Sequence, residues 1–236
     1  FYDFQAVRPQ IRLDEGRARR IEWPEVKLYE VRVPRAPRDL VLLAGAEPSH
    51  RWRTFAGLIV ELADAIGVQL VVTLGALLAD VPHTRPVSVT GFASEPALVS
   101  RLSLGQSSYE GPTGIIGVLH DSCLRAGMPS ASLWAAVPHY ISATPNPKAA
   151  LALIRKLEGL VGVAVDAGDL EAAAADYERQ VNAAVGHDPD IQAFVEKLEA
   201  ASGEETPDHF ELPSGDSIAR DLQRFLRQRG EGPPAG

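Results

Sequence analysis

The chain has 236 residues, of which 45% are apolar and 23% are charged, which is an ordinary globular balance. No apolar run approaches the roughly 20 residues that a membrane helix requires, since residues 58–78, the longest candidate, are interrupted by Glu61 and Asp64. The single cysteine, Cys123, excludes an internal disulfide framework and fits a reducing compartment. The first residues lack the pattern of a secretory signal. Together these features predict a cytoplasmic protein without a membrane segment.

The net charge of −8 is unevenly distributed along the chain. Residues 166–236 contain 16 acids and 6 bases, a balance of −10, so residues 1–165 carry +2. An acidic second part argues against a nucleic-acid surface there. Nine bases lie between residues 8 and 38, but the arginines at residues 17–20 have acidic neighbours. This pattern predicts a solvated, self-neutralising loop and no nucleic-acid binding.

The first part of the chain has the order strand, helix, strand. Residues 26–33 alternate apolar and polar, as a strand with one wet face does. Residues 40–44 form a continuous apolar run, typical of a strand buried on both faces. Apolar residues then recur at helical spacing over 52–66 until Gly67, and a second buried strand follows at 69–74. This order predicts a βαβ crossover in a parallel sheet covered by helices.

The later elements divide the chain in two. After residue 137 only helical periodicity is found, so we predict an α/β core over residues 1–165 and an acidic, helical appendage over 166–236. Further core elements are predicted at 86–91 and 131–137 as strands, and at 95–102 and 114–126 as helices. Helices are predicted at 148–161, with Asn146 as N-cap and Pro147 at the first position, and at 170–185, 189–200 and 217–228.

The segment from Asp80 to Pro86 contains His83, Thr84 and Arg85 between two prolines. The prolines fix their own φ and favour extended backbone before them, so the loop is stiff. It follows a buried strand, and open parallel sheets bind ligands at the carboxyl ends of their strands. A histidine beside an arginine could hold an anionic oxygen or transfer a proton. The alternative is a rigid corner held by Arg85.

A second Val-Pro-His segment, residues 137–139, also follows a buried strand and is continued by Tyr140. If both strands are parallel, His83 and His139 lie on one margin of the sheet. Two histidines are too few for a zinc site, which needs three or four closely spaced ligands, so no metal is predicted.

A third candidate segment contains Tyr109, Gly111, Thr113 and Gly114 and leads directly into a helix. Its backbone N–H groups could cradle a small anion, whereas the alternative is a capped helix start. Because Cys123 lies in the apolar-periodic helix that follows, we expect a buried, inert thiol. No motif of a known hydrolase, metalloprotease or nucleotide-binding site is present. The acidic residues of the appendage, such as Glu196 and Glu199, are interpreted as solvated.

Several motifs occur in one order along the chain. They are Phe1-Tyr2-Asp3-Phe4-Gln5, Glu22-Trp23-Pro24, Gly45-Ala46-Glu47-Pro48, Val81-Pro82-His83-Thr84-Arg85-Pro86, Tyr109-Glu110-Gly111-Pro112-Thr113-Gly114, Val137-Pro138-His139-Tyr140 and Leu212-Pro213-Ser214-Gly215-Asp216. In this order they resemble the actinobacterial branch of the proteasome assembly chaperone 2 family, over essentially the whole chain.

The resemblance implies a three-layer α/β/α core with a mostly parallel, phosphorylase-like sheet, and self-association, with a trimer as first expectation. The family's opening strand and helix would precede Phe1, so we expect that unit to be missing here. A hydrophobic–Tyr–any tail, which related chaperones use for docking, is not found at Pro234-Ala235-Gly236.

Two functions follow from the sequence. One is a self-associating interaction or assembly factor, without a cofactor, whose protein partner is related to the proteasome by the family resemblance. The alternative is a phosphorylase-like enzyme, or a protein that binds a small anion or nucleotide, which uses the Pro-His-Thr-Arg-Pro segment at the margin of the sheet.

Overall fold

The computed structural model describes residues 1–14, 18–34, 36, 38–102, 111–141 and 145–201. The strands within these ranges are Gln10–Asp14, Ala18–Glu22, Val26–Val31, Leu40–Gly45, Val71–Ala79, Val89–Ala93 and Ser130–Pro138, numbered β1 to β7. The helices are Trp52–Ala65, Pro96–Leu102, Ile115–Arg125, Pro147–Val161, Gly168–Gly186 and Pro189–Ala201, numbered α1 to α6. The predicted helix at 217–228 and the candidate residue Tyr109 lie outside the described residues.

The central sheet has the strand order β5-β7-β6. Strands β5 and β7 are parallel, with Val71 opposite Ser130 at one end and Ala79 opposite Pro138 at the other. Strand β6 pairs antiparallel with the other edge of β7. Strand β7 is central and carries no charged residue, so it can be buried on both faces. It corresponds to the buried strand predicted at 131–137.

Helices cover this sheet on both faces. On one face, Ala131, Leu133 and Ala135 of β7 form a core with Leu153 and Leu160 of α4. The other face is covered by α3, which packs against α1 in a second core around the fully buried Ala56 and Cys123. Burial raises the pKa of the Cys123 thiol above its ordinary value, so the thiol remains protonated and inert. The result is a mixed α/β architecture of helix, sheet and helix.

Three predictions about the first strands are wrong. Residues 40–44, predicted as a strand buried on both faces, are mostly exposed in β4. Strand β4 pairs antiparallel with β3 and is not hydrogen-bonded to β5, so these residues do not form the predicted parallel βαβ pair. The short connection between β3 and β4 favours antiparallel pairing, which an apolar run alone does not reveal. The arginines at residues 17–20 and their acidic neighbours were predicted as a solvated loop, but residues 18–22 form β2, which pairs antiparallel with β1.

The end signals of the helices are confirmed. Asn146 is the N-cap of α4, where its side-chain oxygen accepts the Ala149 N–H at 3.0 Å, and Pro147 occupies the first turn. Gly67, which has a φ of 74°, follows the end of α1. Helices α4, α5 and α6 pack in succession. The division of the chain at residue 165 stays a prediction. Among the described helices, none combines the length and apolarity needed to cross a bilayer.

Leu133 and Leu74 are neighbours on adjacent strands, but Leu133 is fully buried whereas Leu74 is 40% exposed. We expect Leu133→Ala to lower the free energy of unfolding by about 2–5 kcal/mol because it removes packed core atoms and leaves a cavity. Leu74→Ala, the matched control, should cost about 1 kcal/mol or less. Urea unfolding followed by circular dichroism measures both, and equal losses would contradict the assigned core.

Candidate functional site

The two Val-Pro-His segments follow the carboxyl ends of β5 and β7. Because these strands are parallel and their last residues, Ala79 and Pro138, are paired, both segments leave the same margin of the sheet. The backbone N–H of His139 donates to the Ala79 carbonyl at 3.2 Å, which joins the two segments directly. We call His83, Thr84, Arg85, His139 and Tyr140 the histidine rim.

His83 is buried, with 6% of its surface exposed, and both ring nitrogens have partners. The Tyr140 hydroxyl lies 2.8 Å from Nδ1 and also accepts the His83 backbone N–H at 2.8 Å. A hydroxyl has one proton and two acceptor sites, so it can serve both groups. Nε2 lies 2.9 Å from Asn182 Oδ1 on α5. Both ring nitrogens of His83 therefore have a polar partner within the protein.

The helices after β7 complete this network. Lys148 of α4 donates to the His83 carbonyl at 2.5 Å and forms an ion pair with Glu178 of α5 at 3.0 Å. The Thr84 hydroxyl donates to Glu199 of α6. Glu199 is therefore not the solvated residue that the sequence predicted, because it is partly buried and hydrogen-bonded to the rim. The three helices together hold the 80–86 loop in place.

Aromatic side chains also join α6 to the histidine rim. Phe194 of α6 lies edge-to-face with His139, at a centroid distance of 5.5 Å, and with Tyr140, at 5.8 Å. Burial is the main cause that raises the pKa of the Tyr140 phenol, with a smaller contribution from the Glu199 carboxylate, whereas the hydrogen bond from the His83 amide lowers it. The net rise keeps Tyr140 protonated, so its hydroxyl can both donate and accept hydrogen bonds.

One part of the histidine rim remains open. His139 Nδ1 lies 2.8 Å from Asp80 Oδ1, and both side chains are exposed, by 43% and 65%. The Arg85 side chain is also exposed, and no polar group of the described residues binds it. The backbone N–H of Arg85 lies 3.5 Å from the Pro82 carbonyl, as expected for a tight corner. An external anion could therefore meet Arg85 and His139 but not the ring of His83.

The predicted anion cradle ahead of α3 contains an internal carboxylate. Glu47, from the loop between β4 and α1, accepts the Ile115 N–H at 2.8 Å. The N-cap is Gly114, and neither it nor Thr113 provides a side-chain cap. Gly111 and Thr113 are exposed, and among the described residues no hydrogen bond joins them to the histidine rim. Glu47 therefore supplies the negative charge that the helix terminus favours, which supports a capped helix start.

Several residues of the site were missed by the sequence interpretation. Asn182 and Lys148 lie on helices whose periodicity indicates only a packed face, and Glu47 precedes a different helix from the one it caps. No local pattern in the sequence identifies Asn182, Lys148 or Glu47 as site residues. The i, i+3 spacing of Glu196 and Glu199 does place those two side chains on one face of α6. Within the described ranges, no three His, Cys, Asp or Glu side chains are grouped so that they could hold a metal ion.

Tyr140→Phe removes the hydroxyl that serves both the amide and the ring of His83. We expect a loss of about 1–3 kcal/mol in the free energy of unfolding, because buried polar groups of His83 lose their partner. Tyr29→Phe is the matched control, since the Tyr29 side chain is half exposed on β3, and should change stability by about 0.5 kcal/mol or less. Thermal and urea unfolding measure both variants; similar losses would argue against the network.

Solved structures of other proteins are similar to this chain over most of its length. A PAC2 family protein from Streptomyces avermitilis is 49% identical, with a TM-score of 0.77, and the match covers 83% of this chain and 82% of that chain. A proteasome-assembly chaperone homologue from Mycobacterium tuberculosis is 45% identical, with a TM-score of 0.75 and 83% of each chain covered.

More distant similarity concerns the fold alone. An archaeal proteasome activator from Pyrococcus furiosus is 18% identical, with a TM-score of 0.61, over 74% of this chain and 76% of that chain. No curated protein matches the sequence. The PAC2 family model matches residues 1–185. With the two close structural relatives, this match confirms the resemblance seen in the ordered motifs: the chain belongs to the PAC2 family.

Proposed function

We propose that this chain is a self-associating interaction factor that binds other protein chains and assists proteasome assembly. One relative, at 45% identity, is a proteasome-assembly chaperone homologue, and a protein of the same fold is an archaeal proteasome activator. The observation that carries the proposal is the number of large apolar side chains exposed on the strands β3, β4 and β5. We take a trimer as the first expectation for the assembly.

The β3–β4 hairpin exposes apolar side chains on both of its faces. Leu28 and Tyr29 of β3 and Val41, Leu42 and Leu43 of β4 are each exposed by 40% to 50%. Groups of exposed large apolar side chains are uncommon on monomers and mark sites of protein interaction. Its position on strands supports a flat contact surface for a protein rather than a pocket for a small molecule.

The edge of β5 supports the same function. Among the described strands only β7 pairs with β5, so one edge of Val71–Ala79 has no strand beside it. This strand contains no charged residue and no proline, and Leu74 and Leu78 are exposed by 40% and 58%. Natural proteins protect exposed edges with charges or prolines. An unprotected edge is suited to the addition of an extended strand from a partner.

The contacts of His83 argue against a catalytic role for this residue. The ring, the amide and the carbonyl of His83 all have internal partners, and Thr84 is bound to Glu199. A general base needs a free nitrogen within reach of a substrate proton. Using His83 in this way would require breaking the contacts that hold α5 to the sheet, so the buried part of the rim is better suited to positioning helices.

Affinity purification of the chain from a native actinobacterial lysate, with identification by mass spectrometry, tests the proposed function. We expect proteasome subunits to co-purify, because the exposed strands offer them an apolar surface. A Leu42→Asp and Leu74→Asp variant should lose these subunits, since each charge falls on the proposed surface, whereas Glu196→Gln on α6 should retain them. If the wild type and Glu196→Gln each recover no other protein, the proposed partner is refuted.

A second candidate function, binding of a small anion or nucleotide, is favoured by one observation. Arg85 has an exposed side chain that no polar group of the described residues binds, and it shares the sheet margin with the exposed His139. A phosphate group is a suitable ligand for a free guanidinium. This candidate needs no participation of His83.

Thermal-shift measurements with phosphate, nucleosides and nucleotides test the second candidate. If the rim binds an anion, millimolar phosphate should raise the melting temperature, and Arg85→Ala should remove the shift because the phosphate loses its cation. Arg38→Ala, which removes an exposed arginine elsewhere, should leave the shift unchanged. The absence of any shift with all these ligands would exclude the candidate.

A further inference from the structure

The β1–β2 hairpin has one apolar face that nothing in the described structure covers. The register pairs Ile11 with Ile21 and Leu13 with Arg19, and strand alternation places these four side chains on one side. Ile11, Leu13 and Ile21 are exposed by 63%, 63% and 53%. Isolated two-stranded hairpins are marginally stable in water. A face of this composition therefore gains stability when another surface covers it.

The opposite face of the hairpin is different in character. It carries the ion pairs of Glu22 with Arg12, at 3.2 Å, and with Arg20, at 3.1 Å. These charges are satisfied within the hairpin. Arg19, on the apolar face, is exposed and has no polar partner among the described residues. The hairpin thus presents three aliphatic side chains and one free positive charge on a single side.

Helix α1 presents the matching arrangement. Leu58 and Leu62 of α1 and its C-cap residue Ile66 follow one another at four-residue spacing and are exposed by 50%, 38% and 50%. They form an exposed stripe that borders the buried face of the helix, which contains Ala63. Glu61 lies beside Leu58 and Leu62 and is exposed, without a polar partner in the part of the chain that is described. Helix α1 thus presents an aliphatic stripe with one free negative charge.

We infer that these two surfaces form a head-to-tail contact between two copies of this chain, in which the apolar face of the β1–β2 hairpin covers the α1 stripe of the second copy. Arg19 then meets Glu61. The inference rests on the self-association in the proposed function and specifies the surfaces that produce it. Their complementary charges, with the uncovered aliphatic side chains on each, favour a second copy as the occupant.

The contact also has a consequence for the assembly. In a head-to-tail contact the hairpin of one copy covers the α1 stripe of a second copy, whose own hairpin stays free for a third, so the contact is heterologous. A heterologous contact closes into a ring when the rotation between copies allows it. The trimer taken as the first expectation is one such ring, in which every hairpin and every α1 stripe is covered.

A charge exchange tests this contact with the full chain. Sedimentation velocity at low ionic strength would compare the wild type, Arg19→Glu, Glu61→Arg and the double variant. Each single variant should weaken self-association about tenfold, because two like charges then meet across the contact. The double variant should restore it, since the pair is re-formed in the opposite sense. Arg38→Glu makes the same charge change at an exposed residue elsewhere and should have no effect.

The outcomes separate this inference from the proposed function. If the wild type associates but the single variants do not differ from it, or if the double variant fails to recover, the contact is wrong while self-association stands. A wild type that remains monomeric at about 100 μM refutes both. If Arg19→Glu does not fold, Leu58→Ser with Leu62→Ser probes the same contact from the exposed side of α1, and unchanged association of that variant overturns the inference.

Discussion

Parallel pairing of β5 with β7 is the constraint on which the rest of this structure depends. Parallel strands end at one margin, so the loops after Ala79 and Pro138 leave the sheet side by side. The strands can pair in this way because neither contains a charged residue, and helices α3 and α4 cover β7 from opposite faces. Their burial supplies the free energy that holds two proline-containing corners together.

The polar groups gathered at this margin are used to hold the fold. His83 is buried together with its donors and acceptors, and such groups are costly unless each one is hydrogen-bonded. Its partners come from the loop after β7, from α4 and from α5. The exposed apolar strands and the hairpin lack such internal partners. We therefore expect binding partners to contact the exposed strands and the hairpin.

The elements that local signals define were predictable, and those that distant residues define were not. Asn146 and Pro147 predicted the start of α4 because capping depends on neighbours in the chain. Asn182 meets His83 across 99 residues, and an asparagine in an alanine-rich helix gives no sign of that partner. The pairing of β4 was predicted incorrectly, because an apolar run indicates a strand without indicating which strand it pairs with.

By itself, the sequence determined the family, the order of most strands and helices, and the shared margin of the two histidine segments. These follow from motif order, from periodicity and from residues such as proline that restrict their own backbone. Only the tertiary structure decided that His83 is enclosed by α5, that Glu47 caps α3, and that the β1–β2 hairpin and α1 keep aliphatic faces exposed. Those outcomes depend on which distant surfaces bury one another, a free-energy balance over the whole chain that no local pattern contains.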